Sequence, residues 1–338
     1  MKKQANVGII GAGNIARSVH LPSLSEIEEA NIKAICDLRI DKANTLAEKH
    51  NIPHTYFDMY EMIEKEDLDC IFVLVEPDRL FRAAFDCMKA GIPVMMEKPA
   101  GTCSHQTNSL ARYSEETGVT CAVAMNRRHI PVVQEVKRIM SELTTVTQVD
   151  GCFLKSTDLS KDWRYQCAFD CDGIHALDLV RYLAGSEVDK CATVTGRFSG
   201  SPVDNAWSGV MHFENGITGT IRSNYQAGAR VHQFEMHGPE ASAFINLGFG
   251  GSECEAVILS KKGGSMYSLA AGGVGGTDRI TLNGKELAGS ENFYAYYGYK
   301  QEDKNFINSV LTGEKPLCTV ADAAKSMELC EKIHASSI

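Results

Sequence analysis

The 338-residue sequence lacks any excess of positive charge: 34 Lys and Arg stand against 43 Asp and Glu, a net charge of −9. That balance argues against nucleic acid as the main partner. It leaves room for an anionic nucleotide held locally by backbone amides. A long apolar run is also missing, since none approaches the roughly 20 residues of a membrane span. No period-sized repeat occurs. Cysteine is not scarce at 12 residues, but the spacing forms no disulfide framework. The apolar stretch after Met1-Lys2-Lys3 is short and broken by glycines, so it reads as a strand and not as a secretory signal. We expect reduced cysteines acting as small buried hydrophobes in a cytoplasmic protein with no membrane partner.

What is present is ordinary for a globular protein, with 44% hydrophobic and 23% charged residues, and the length suits two domains. The most informative segment is Gly11-Ala12-Gly13-Asn14-Ile15-Ala16, which follows the apolar run Val7-Gly8-Ile9-Ile10. It reads as a turn from a first parallel strand into a helix that holds a dinucleotide pyrophosphate. Gly11 permits the tight turn, Gly13 lets backbone approach the phosphates, and Ala16 is small enough for the helix to pack on the sheet. Asp37 ends the next apolar run about 20 residues on, where the fingerprint places an acid for the adenine ribose. A carboxylate there repels a 2′-phosphate and favours NAD, while Arg39 softens the repulsion and leaves NADP open.

The first 120 or so residues alternate apolar runs (Val7–Gly11, Ile32–Asp37, Cys70–Val75, Pro93–Met96, Thr120–Ala124) with helical patterns (Asp41–His50, Tyr60–Glu64, Arg79–Ala90, Thr107–Thr117). That alternation predicts a parallel sheet covered on both faces. After Asn126 the rhythm changes. Helices over Pro131–Leu143 and Asp172–Ala184 accompany β-prone segments at Thr144–Leu154, Lys190–Phe198, Ala206–Phe213, Ile217–Asn224 and His232–His237. Asn215-Gly216 and Asn283-Gly284 read as hairpin turns. Helix returns at Phe293–Leu311 and Val320–His334. The fold class is therefore an α/β Rossmann domain with a parallel sheet, residues 1–125, followed by an α+β domain with an open, mainly antiparallel sheet, residues 126–338. The terminal helices are free to pack back on the first domain. An open sheet face needs cover, which points to a homodimer or homotetramer through the C-terminal sheet.

Glu97-Lys98-Pro99 comes directly after the strand Pro93–Met96. With Gly11–Ala16 and the segment Asp172-Gly173-Ile174-His175-Ala176-Leu177-Asp178, it resembles the glucose–fructose oxidoreductase, inositol dehydrogenase and MocA (Gfo/Idh/MocA) family nearly end to end. Trp163-Arg164, Asn126-Arg127-Arg128 and Glu302…Phe306 fit the same resemblance. It implies NAD(P)-dependent hydride transfer with a sugar, polyol or related secondary alcohol. It also implies that Lys98 contacts substrate and cofactor, that Pro99 often follows a cis bond, and that His175 serves as the acid/base. Cofactor contacts are expected from Gly11, Gly13, Asn14, Ile15, Asp37, Arg39, Pro77, Glu97, Lys98 and Asn126. Substrate contacts are expected from Lys98, Arg128, Trp163, Arg164, Asp172 and His175, with Arg127 and Tyr165 as further candidates.

The chemistry agrees with those residue types. A histidine titrating near pH 6.5 can take a hydroxyl proton, and an ammonium stabilises the alkoxide-like oxygen. The sequence also departs from the family pattern. The acid expected four residues before the histidine is replaced by Cys171. Asp172, three residues before, either orients His175 from the same helix face or caps the helix. Asp178 is expected as a structural partner on that helix. Glu76-Pro77 stands in place of Thr-Pro, Phe81 in place of a common histidine, and no glycine run precedes His175. Cys167, Cys171 and His175 recur every four residues, yet lack a fourth ligand, so no metal is expected. Two other readings stay open: a non-catalytic nucleotide-binding sensor or regulator, and an enzyme that keeps NAD tightly bound through an internal redox cycle.

Overall fold

Six short strands build the first sheet: β1 (Ala5–Ile10), β2 (Ala30–Cys36), β3 (His54–Tyr56), β4 (Cys70–Val73), β5 (Val94–Met96) and β6 (Cys121–Val123). The computed structural model describes residues 3–157, 168–249, 251–261 and 277–337. The order is β3-β2-β1-β4-β5-β6, and every neighbouring pair is parallel. β4 and β5 are buried along their whole length, which is why they read as unbroken apolar runs and not as alternating ones. The helical turns Ala16–His20 and Leu21–Leu24 and the helices Ile40–His50, Met59–Lys65, Pro77–Lys89 and Ser104–Thr117 supply the crossovers. The strand order reverses between β1 and β4, and in such sheets ligands bind at the carboxyl ends beside that reversal.

The unit containing this sheet comprises the chain up to His129 together with Asn292–Glu328. The second expected domain is thus interrupted, because helix Tyr299–Thr312 completes the first core. Phe306 and Ile307 are fully buried among residues of that core, and the Phe306 ring meets Phe72 edge-on at 5.4 Å.

The other unit runs from Ile130 to Glu291 and resumes at Leu329. Its sheet comprises β7 (Gln148–Ser156), β8 (Val188–Gly196), β9 (Ala206–Phe213), β10 (Thr218–Asn224), β11 (Gln226–His237), β12 (Ala241–Leu247), β13 (Cys254–Lys261) and β14 (Thr277–Asn283). The order is β14-β13-β12-β11-β7-β10-β9-β8, with only β7 and β10 parallel. Asn215-Gly216 makes the tight turn between β9 and β10, with Gly216 at φ +86°. Asn283-Gly284 does not form a hairpin. The Asn283 side chain accepts from the Lys285 and Glu286 N–H groups and caps the short helix Gly284–Ala288, a use asparagine suits equally well.

Helix Ile174–Ala184 packs on one face of this sheet. A Cβ at Gly151 would lie 2.6 Å from Val180, so glycine on β7 lets the helix come close. The opposite face carries Asp150, Thr220, Glu235 and their row neighbours, and there Val210 is 58%, Val194 57% and Phe244 40% exposed. Three side chains able to ligate a metal, Asp150, Glu235 and His237, cluster on that open face.

Candidate active site

In the first unit the turn after β1 is built for glycine. Gly11 sits at φ +106°, and a Cβ there would lie 2.3 Å from the Leu74 carbonyl oxygen. Its N–H donates to the Cys36 carbonyl at 2.8 Å, tying the turn to β2. Gly13 is different, because a Cβ at Gly13 would meet nothing within 4 Å. Among the described residues no neighbour demands a glycine there. The bare backbone instead leaves space for a bulky group, which is what a pyrophosphate at a helix N-terminus needs. Helical backbone begins at Asn14 and Ile15, continues through the wide turn Ala16–His20, and ends with Leu21–Leu24.

Asp37 braces this turn. One carboxylate oxygen accepts the Ala12 N–H at 2.7 Å, and the other accepts the Arg39 N–H at 2.7 Å. Each oxygen keeps a further lone pair, so the same carboxylate can still receive ribose hydroxyls. Arg39 is exposed beside it, and Pro77 occupies the first turn of the helix that follows β4. The residues present fit a nicotinamide dinucleotide.

Glu97 and Lys98 stand just past β5, at the carboxyl end of the sheet, followed by a cis bond to Pro99 as the resemblance implied. The Glu97 carboxylate is buried. One oxygen lies 3.3 Å from His20 Nε2, and the other accepts the Lys98 backbone N–H at 3.1 Å. His20 Nδ1 in turn lies 2.8 Å from Asp303. Burial opposes the charged imidazole, but the Asp303 and Glu97 carboxylates outweigh it and hold the His20 pKa well above its usual value. Burial likewise pushes the Glu97 carboxyl up, and His20, then Lys98, more than reverse that.

Asn126 and Arg128 lie in a buried turn, Asn126–His129. Asn126 donates to the Tyr297 carbonyl at 2.9 Å, and the Arg128 guanidinium pairs with Asp322. His129 beside them is pushed down to about 3 by burial and by Arg128, so it is neutral.

In the second unit His175 opens helix Ile174–Ala184 and is 7% exposed, and its Nδ1 has no hydrogen-bond partner among the described residues. Asp172 therefore does not hold the ring through Nδ1. Nor does it cap the helix, whose N-cap is Gly173 with no side-chain bond. The reason is the wide turn Phe169–Gly173, in which a three-residue offset no longer stacks as in an α-helix. The Asp172 carboxylate instead pairs with Lys155 Nζ at 2.5 Å and accepts from the Tyr225 hydroxyl at 3.2 Å. Trp207 stacks on Phe169 at 4.8 Å, and His334 bonds Asp170 at 2.9 Å, so the turn is anchored from several sides. Asp178 is buried beside Arg181 at 3.8 Å, in the structural role expected.

Trp163, Arg164, Tyr165 and Cys167 lie outside the described residues. Lys155, Tyr225, His20 and Asp303 were not anticipated. Lys155 had a signal: it shares strand parity with Val149, Gly151 and Phe153, which face the helix, so a charge was pointing inward.

A model described as the oxidoreductase family with an NAD-binding Rossmann fold matches residues 5–125, and the GFO/IDH/MocA C-terminal domain matches residues 133–244. The chain belongs to the Gfo/Idh/MocA oxidoreductase family. As a family member it is an NAD(P)-dependent oxidoreductase. It is 28% identical over 257 residues, 72% of this chain and 74% of the relative, to the uncharacterized oxidoreductase YrbE of Bacillus subtilis strain 168. It is 24% identical to the myo-inositol 2-dehydrogenase of Thermotoga maritima, over 96% of this chain and 93% of that one. The fold matches an Agrobacterium radiobacter oxidoreductase solved with NAD+, L-tartaric acid and magnesium, at TM-score 0.82 and 15% identity, covering 99% of this chain and 96% of that one. Among the described residues no helix is long and apolar enough to cross a membrane.

Proposed function

We propose that this oxidoreductase interconverts a secondary alcohol and a ketone on a sugar, polyol or related compound, with NAD as the preferred cofactor. The bound nicotinamide supplies the hydride chemistry. The observation that carries the reading is Lys98, fixed at the carboxyl end of β5 by a buried Glu97 in an NAD-binding fold. Lys98 places positive charge at the reacting oxygen, and His175 takes or returns the hydroxyl proton. Asp172, with Lys155 and Tyr225, fixes the turn that precedes His175. Asp37, with both oxygens fixed on backbone amides, supports NAD over NADP. The relative named for myo-inositol supports the substrate class.

The test is a panel of inositols, polyols, aldoses and nucleotide sugars, read by reduced-nicotinamide absorbance. Lys98→Ala and His175→Ala should each abolish turnover while NAD+ still binds. Turnover retained in both variants sinks these roles. The exposed Val194, Val210 and Phe244 support self-association through the open sheet face. Light scattering should find a dimer or tetramer, and Val210→Glu should dissociate it.

A further inference from the structure

The first unit contains a buried titratable pair, His20 and Asp303, that the reaction as proposed does not use. None of His20 is exposed, and each ring nitrogen faces a carboxylate: Nδ1 to Asp303 at 2.8 Å and Nε2 to Glu97 at 3.3 Å. Ionised carboxylates only accept, so a ring that meets one on each side donates from both nitrogens and is an imidazolium. Phe72 and Tyr299 wall the ring, each at 5.9 Å.

Two carboxylates enclose one cation, in a place where an apolar set of similar volume is often at least as stable. What distinguishes the arrangement is where it ends. Asp303 belongs to helix Tyr299–Thr312, whereas Glu97 directly precedes Lys98 and holds its backbone N–H with the oxygen that His20 does not use.

We propose that His20 is a positioning residue for Lys98. Anchored on Asp303, it fixes one Glu97 oxygen, so the other oxygen stays on the Lys98 N–H and sets the course of the chain past β5. The inference rests on the role given above to Lys98. The groups in and around this cluster are Asp303, Glu97, Lys98 and Tyr299, with Arg127 and Glu302 beside Tyr299.

The two ring nitrogens can be tested apart in the full chain. The amide of His20→Gln reaches toward Glu97 and that of His20→Asn toward Asp303. Both variants should bind NAD+ like the parent. His20→Asn should lose hydrogen-exchange protection over Glu97–Thr102. Its kcat on the best panel substrate should fall by up to about 100-fold, with KM little changed. His20→Gln should keep both properties and lose protection only in Tyr299–Thr312. Equal losses in the two variants, or none in either, overturn the proposal. If neither folds, Asp303→Ala, which removes the anchor of His20 Nδ1, decides: lowered kcat with lost protection over Glu97–Thr102 supports the role, and parental values of both overturn it. Lys98→Ala separates the layers. Turnover that survives it refutes the Lys98 reading itself, whereas dead Lys98→Ala beside parental His20→Asn refutes only His20.

Discussion

Substituting Gly11 and Gly13 separately should split the demands of the fold from those of the cofactor. At Gly11 a side chain meets two penalties. A non-glycine residue at φ +106° is strained by about 1–3 kcal/mol, and a Cβ placed 2.3 Å from the Leu74 oxygen forces overpacking of about 1–3 kcal/mol. Together they cost about 2–6 kcal/mol, against a total stability of about 5–15 kcal/mol for a typical domain. Gly11→Ala should therefore melt much earlier or fail to accumulate. At Gly13 a Cβ has no neighbour within 4 Å among the described residues, so Gly13→Val should leave stability within about 0.5 kcal/mol. The same side chain fills the space where the pyrophosphate approaches backbone. An overpacking cost of about 1–3 kcal/mol then falls on binding alone and weakens NAD+ about 5- to 150-fold. Urea unfolding and NAD+ titration calorimetry on both variants read these quantities. A Gly13→Val protein that binds NAD+ as tightly as the parent would refute the reasoning, because the space at Gly13 would then not be the phosphate site.

Phe306→Ala should cost about 3–5 kcal/mol in urea unfolding, since the ring is fully buried against Phe72; a loss under about 1 kcal/mol would deny that the late helix completes this core. The folded pKa of His20 is raised above its unfolded value, so its contribution to stability is full below about pH 6.5 and fades as pH rises through the folded value. Glu97 runs the other way: its pKa is lowered, and its contribution fades as pH falls through the folded value. The melting temperature should therefore drop on the alkaline side, and by less in His20→Gln; identical profiles count against the imidazolium. Lys155→Met should destabilise by about 1–3 kcal/mol by stranding the Asp172 carboxylate, and adding Asp172→Asn should restore part of the loss. Strict additivity in that cycle would show that the pair is not coupled.

The nucleotide-binding half was legible because its signals are local. Apolar runs, the Gly11–Ala16 turn and Asp37 all lie within short windows, and each found its expected place. β3 escaped notice because it is a three-residue edge strand, His54-Thr55-Tyr56, with little apolar content. β12 and β13 alternate in burial but begin among small and polar residues, which dilutes the period. Asn283-Gly284 misled because one dipeptide serves both a tight turn and a helix cap. For the site, Lys98 and His175 stood out through motif context. Their neighbours did not, because His20 meets Asp303 across 283 positions and Lys155 meets Asp172 across strand and turn. A pairing of that kind leaves no period in the sequence.

The return of Asn292–Glu328 to the first unit governs the order in which the molecule can be completed on the ribosome. Phe72 emerges early, but Phe306, which closes the same core, is made 234 positions later, on the order of 10–50 s at ordinary elongation rates. During that interval the nascent sheet carries an uncovered apolar patch. A messenger truncated before Asn292 would yield a nucleotide-binding half that aggregates or is degraded.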